Sequence, residues 1–125
     1  MEDEKSQAIV DFLTEFKDIV VNERGLDVIP RLENKQALIE LGLTAKNRRD
    51  ELLSLAVKDY CEGPLKDRDK PGYVWCFGKQ INQKEVYIKL KIAIVEGVVK
   101  VAKCLSFHIA KYPLTYPCRK NEEEK

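Results

Sequence analysis

"QKEVYIKLKIAIVEGVVKVAKCLSFH", residues 83–108, is the stretch on which the fold turns. Its first half alternates strictly, with Val86, Ile88, Leu90 and Ile92 on one parity and Tyr87, Lys89 and Lys91 on the other. A period of two reads as a half-buried strand. Glu96-Gly97 then separates Val95 from Val98, and a two-residue connection with a glycine free to take positive φ predicts a tight hairpin. Counting outward from Val95 opposite Val98, Ile88 meets Leu105 and Val86 meets Phe107 on an apolar face. On the opposite face Tyr87 meets Ser106, Glu85 meets His108 and Lys89 meets Cys104, with Lys91 near Lys100. A slip of one residue would put Ile88, Leu90 and Ile92 into water, so burial fixes which face is which.

Upstream of the hairpin, "YVWCFGKQ" (73–80) reads as a third strand, and "CEGPLKDRDKPG" (61–72) as a loop rich in Gly, Pro and Asp. Before the loop the period changes to that of helices. In "SQAIVDFLTEFKDIVV" the apolar residues Ile9, Phe12, Leu13, Phe16, Ile19 and Val20 recur at helical spacing, with Ser6 as the expected N-cap. "LDVIPR" is a short extended piece that Pro30 confines to an edge or bend. A second helix fits "ENKQALIELG", closed by Gly42. A third fits "AKNRRDELLSLAVKDY", capped by Thr44 and with Leu52, Leu53, Leu55, Ala56 and Val57 on its apolar side. Helices followed by consecutive strands predict an α+β fold, N-terminal helices packed on one face of a C-terminal antiparallel sheet. We expect one unit over residues 1–119, mainly helical over 1–60 and mainly β over 73–119, with 120–125 a charged tail.

No apolar run approaches the roughly 18 residues that a membrane span needs. The acidic start, MEDEKSQ, fits neither a secretory signal nor a transit peptide, so a cytoplasmic location is expected. Cys61, Cys76, Cys104 and Cys118 form no CxxC pair and no zinc spacing, which predicts free thiols and no metal site. Net charge is +1, but residues 1–72 carry 12 Lys/Arg against 16 Asp/Glu while residues 73–120 carry 9 against 2. An acidic front and a basic back point to a polyanion as partner for the back half.

The only histidine, His108, ends the last strand on the polar parity. With Tyr87 and Lys89 it forms the expected catalytic group, supported by Glu85 and Ser106. Lys79, Lys91, Lys111 and Arg119 are the expected phosphate ligands, and Tyr112 and Tyr116 the expected platforms for bases. Phosphate calls for Lys or Arg, bases stack on aromatic rings, and strand cleavage calls for a group titrating near neutrality.

The blocks "DYCEGP", "YVWCFGK", "KEVYIKLKI" and "CLSFHIAKYPLTYP" resemble, in order and spacing, the MqsR-type toxins of type II toxin–antitoxin systems, within the RelE superfamily. The resemblance runs from "NKQALIELGLT" to "TYPCR". It implies a RelE-like fold and an mRNA interferase that needs no metal or cofactor and cleaves by attack of a ribose 2′-hydroxyl on the adjacent phosphate. It further implies a cognate antitoxin protein and mRNA, free or ribosome-bound, as partners. Tyr87 falls on the strand tyrosine of the family, and His108 stands where the family has a lysine. The chain departs from the family at Cys61-Glu62, where a tyrosine–lysine pair is expected, and at Cys76, where a glutamine is expected. Two other classes fit the same residues: a non-catalytic RNA- or ribosome-binding module, and an interaction protein whose basic face docks an acidic partner.

Overall fold

A computed structural model describes residues 2–23 and 25–119, with side chains from Glu4 onward. The expected tail at 120–125 lies outside the described residues. Three N-terminal helices, α1 (Glu2–Asn22), α2 (Leu32–Leu41) and α3 (Ala45–Leu53), pack against a five-stranded sheet. The strands are β1 (Leu26–Val28), β2 (Tyr60–Lys66), β3 (Tyr73–Ile81), β4 (Lys84–Val95) and β5 (Val99–Ile109), in spatial order β1-β5-β4-β3-β2. Only β1 runs parallel to its neighbour, β5; the other pairings are antiparallel. Among the described residues no helix is long and apolar enough to cross a membrane.

The core follows from the two periodicities. Ile9, Phe12, Leu13, Phe16, Ile19 and Val20 of α1 are all buried against Phe77, Val86, Ile88, Leu90 and Phe107 of the sheet. Phe12 stacks on Trp75 with ring centroids 4.8 Å apart. Helix α1 begins at Glu2, so Ser6 sits inside it and is not its N-cap. Gly42 closes α2 in the left-handed conformation, φ 70°. Thr44 caps α3 through a reciprocal pair of bonds with Asn47, each 3.0 Å.

Two expected elements change. The third helix stops at Leu53 rather than running to Tyr60, and a 3-10 turn at Val57–Asp59 follows it, held by the Asp59 carboxylate accepting from Ala56 N at 2.9 Å. The expected loop at 61–72 contains β2, an edge strand with shifted register on either side of Glu62. Pro64, which has no N–H to give a ladder, is tolerated there because an edge strand has only one partner.

The hairpin also differs in register. Val95 pairs with Val99, not Val98, so the connection has three residues. A bulge then leaves Leu105 unpaired, between Leu90↔Cys104 and Lys89↔Ser106. Each departure shifts the count by one. Between loop and bulge the parity inverts: Cys104 faces the core and Lys100 pairs across from Ile94, reaching Glu15 of α1. Beyond the bulge the second shift restores the expected parity, with partners two residues along. Tyr87 therefore meets His108, and Lys89 meets Ser106.

The bulge is held by one buried side chain. Asn34 of α2, 1% exposed, donates through Nδ2 to Ile29 O (2.9 Å) and Leu105 O (3.1 Å) and accepts from Phe107 N (2.9 Å). Strand β1 ends at Val28, and Asn34 takes its place beside β5. All four cysteines are free, as expected, with Cys76 and Cys104 buried.

Candidate active site on the polar sheet face

The face turned away from the core gathers Tyr87 and Lys89 from β4, Ser106 and His108 from β5, and Cys76 and Gly78 from β3, at adjacent ladder positions. The rings of Tyr87 and His108 lie 5.5 Å apart at 43°. The Tyr87 hydroxyl is 3.3 Å from Cys76 Sγ. Burial, and then the contact with the thiol, raise the Tyr87 pKa above the usual phenol value, which keeps the hydroxyl neutral and a donor. Burial likewise raises the Cys76 thiol.

His108 Nδ1 lies 3.0 Å from Ile109 O. A carbonyl oxygen only accepts, so Nδ1 carries the proton, and in the neutral ring Nε2 is the free base. Nε2 is 4.0 Å from Glu33 Oε1 on α2, and Lys111 Nζ holds the other oxygen of that carboxylate at 2.6 Å. The Lys111 bond first, and the charge of His108 second, lower the Glu33 pKa. Lys89 makes no hydrogen bond or ion pair among the described residues, so its ammonium is available to an anion.

The three residues expected to be catalytic therefore stand together, but several expected partners do not join them. Lys79 is on the core parity, paired with Val86, and reaches α3, where it meets Glu51 Oε1 and Ser54 Oγ, each at 2.7 Å. Lys91 is buried, its ammonium bound to Asp67 (2.6 Å) and Pro71 O (2.8 Å). It serves to fasten the 67–72 turn and is not a free phosphate ligand. Glu85 does not orient His108; its carboxylate accepts from Leu114 N (3.1 Å) and the Tyr116 hydroxyl (2.8 Å). Glu33 is the carboxylate beside the imidazole. It was missed because it lies on α2, 75 residues from His108 in sequence, where no spacing rule reaches.

The C-terminal segment forms a strap over the same face. Leu114 and Tyr116 lie directly above Gly78, where an added Cβ would come within 2.4 Å of Leu114 Cδ1 and 2.7 Å of Tyr116 Oη. Arg119 stacks on the Tyr116 ring at 3.6 Å and donates to Lys58 O (2.9 Å) and Asp59 Oδ1 (3.4 Å). Tyr116 and Arg119 are thus tied into the strap and border the site, whereas Tyr112 is 80% exposed beside it. Ser106 is buried between Lys89 and His108 on the ladder.

Comparison with protein-family models, curated proteins and solved structures gave no significant match. The chemistry of the face has to be argued from its own residues.

Proposed function

We propose that the chain is an endoribonuclease toxin that cleaves mRNA on the polar face of the sheet. The observation that carries this reading is the cross-strand pairing of Tyr87 with His108 beside the free ammonium of Lys89. A base, a neutral donor and a cation at adjacent ladder positions are what transfer of an RNA phosphate to its own 2′-oxygen requires. His108 Nε2 takes the 2′-hydroxyl proton as that oxygen bonds to phosphorus. Lys89 and the Tyr87 hydroxyl offset the charge that grows on the non-bridging oxygens. The bond from phosphorus to the 5′-oxygen breaks, the imidazolium returns the proton to that oxygen, and a 2′,3′-cyclic phosphate and a 5′-hydroxyl result.

Further support comes from the blocks resembling MqsR-type toxins, which also suggest a co-expressed antitoxin as the inhibitor. Tyr112 is the exposed ring available to stack on a base flanking the scissile phosphate. Lys111 is tied to Glu33 and contributes by steadying the carboxylate next to His108.

Inducible expression in a bacterial host tests the proposal. Wild type is expected to arrest growth and to create discrete new 5′ ends in mRNA, while His108→Ala and Tyr87→Phe, produced to the same soluble level, do neither. Unchanged growth and unchanged mRNA on expression of the wild type would refute it.

A further inference from the structure

Away from the polar face, the first turn of α3 stands beside β1, and together they bound an open cleft of about 280 Å³. Leu26, Val28 and Ala45 form an apolar wall, and Lys46, Arg48 and Arg49 supply positive charge. Lys46 is occupied by Asp50 at 3.0 Å. Arg48 and Arg49 are not: neither guanidinium makes a hydrogen bond or ion pair among the described residues. The Nε of Arg48 is moreover buried without any acceptor, the one side-chain nitrogen or oxygen among the described residues in that state. Buried donors are almost always satisfied, and an orphan of this kind calls for an occupant. The polar groups at the start of α3 do not supply it, because Thr44 and Asn47 cap each other.

We infer that this cleft binds a phosphate monoester carrying a flat or apolar body, as in a mononucleotide. Two unpaired guanidinium charges match a doubly charged phosphate, and an arginine presents Nε–H and a terminal N–H as a fork suited to two of its oxygens. Leu26 and Val28 offer the attached body an apolar surface, and the cleft, near the lower end of ligand-pocket volumes of about 300 Å³, holds more than a bare ion. The cleft shares no residue with the Tyr87–His108–Lys89 group, so the inference stands whether or not the chain cleaves RNA.

The Nε–Hε resonance of Arg48 in the ¹⁵N-labelled full chain reads occupancy directly, assigned through its loss in Arg48→Lys. It is followed at constant ionic strength during titration with inorganic phosphate, adenosine 5′-monophosphate and adenosine. The expected result is a saturable shift with the first two, tighter for the nucleotide, and none with adenosine. Arg49→Gln, with an otherwise unchanged amide spectrum, should weaken binding by about tenfold or more, the loss expected for a hydrogen bond between charged groups. No saturable shift, an equal response to phosphate and nucleotide, or a response to adenosine would overturn the inference. So would nucleotide binding that survives Arg49→Gln and disappears in His108→Ala, which puts the ligand on the polar face.

Discussion

Replacing Asn34 by alanine tests how the site is aligned. The amide side chain is 1% exposed and makes three bonds, to Ile29 O, Leu105 O and Phe107 N. Ile29 O keeps a second partner, Arg31 N at 2.8 Å, and loses little. Phe107 N–H and Leu105 O are less fortunate, since both face the position that β1 has vacated. An orphaned buried donor costs about 1–3 kcal/mol and a lost carbonyl partner about 0.5–1.5 kcal/mol. The sum is near 3 kcal/mol, which for a domain of 125 residues lowers Tm by about 10 °C. Urea unfolding followed by far-UV circular dichroism measures it. Asn34→Leu fills the same volume without the bonds and should lose about as much, while Lys35→Ala, exposed on the next position of α2, should stay within about 0.5 kcal/mol of wild type. Recovery of wild-type stability in Asn34→Leu would show that packing, not hydrogen bonding, is what Asn34 provides. Loss of less than about 1 kcal/mol in Asn34→Ala would refute the role in the ladder altogether.

Two more outcomes follow from the contacts around the face. Asp67 has its pKa lowered to about 2, chiefly by the Lys91 hydrogen bond. A depressed carboxyl stabilises the fold above its unfolded pKa and loses that contribution as pH falls through the folded value. Lys91→Met should therefore be less stable than wild type at pH 7, with the gap narrowing between about pH 4 and pH 2 as the Asp67 bond is lost from wild type; a gap independent of pH in urea midpoints would contradict the assignment. Gly78→Val should lift the strap, because the new side chain meets Leu114 and Tyr116 at their flexible ends, not the backbone. Faster hydrogen exchange and proteolysis confined to residues 112–119 is the expected result, and unchanged protection there would contradict it.

Which face of the hairpin is polar was legible from alternation alone, since Val86, Ile88 and Leu90 cannot all be exposed. Which residues oppose one another was not. The third residue of the turn and the bulge at Leu105 each displace the count by one, and neither has a mark in sequence. Their sum returns Tyr87, Lys89, Ser106 and His108 to a shared face, yet Cys104 and Lys100, lying between the two irregularities, fall on the opposite one. The helical periodicity of α1 likewise sufficed to name its buried side, Ile9 through Val20. Strand β2 escaped notice because Gly63-Pro64 interrupts any alternation and the register shifts around it. Roles that depend on tertiary partners were out of reach: charge pattern cannot tell the free Lys89 from Lys91 sealed against Asp67, or from Lys79 turned toward Glu51. The carboxylate beside His108 was misassigned to Glu85 for the same reason, because only the docking of α2 brings Glu33 there.

The most direct test of the nuclease is cleavage by the purified chain of a single-stranded RNA containing all dinucleotide steps, in EDTA, with the ends of the products identified. The account predicts 2′,3′-cyclic phosphate and 5′-hydroxyl ends, with a rate that falls by about 10²-fold or more in His108→Ala, the usual contribution of a positioned acid–base group. No cleavage by the folded wild type, or cleavage that continues undiminished without His108, would contradict it.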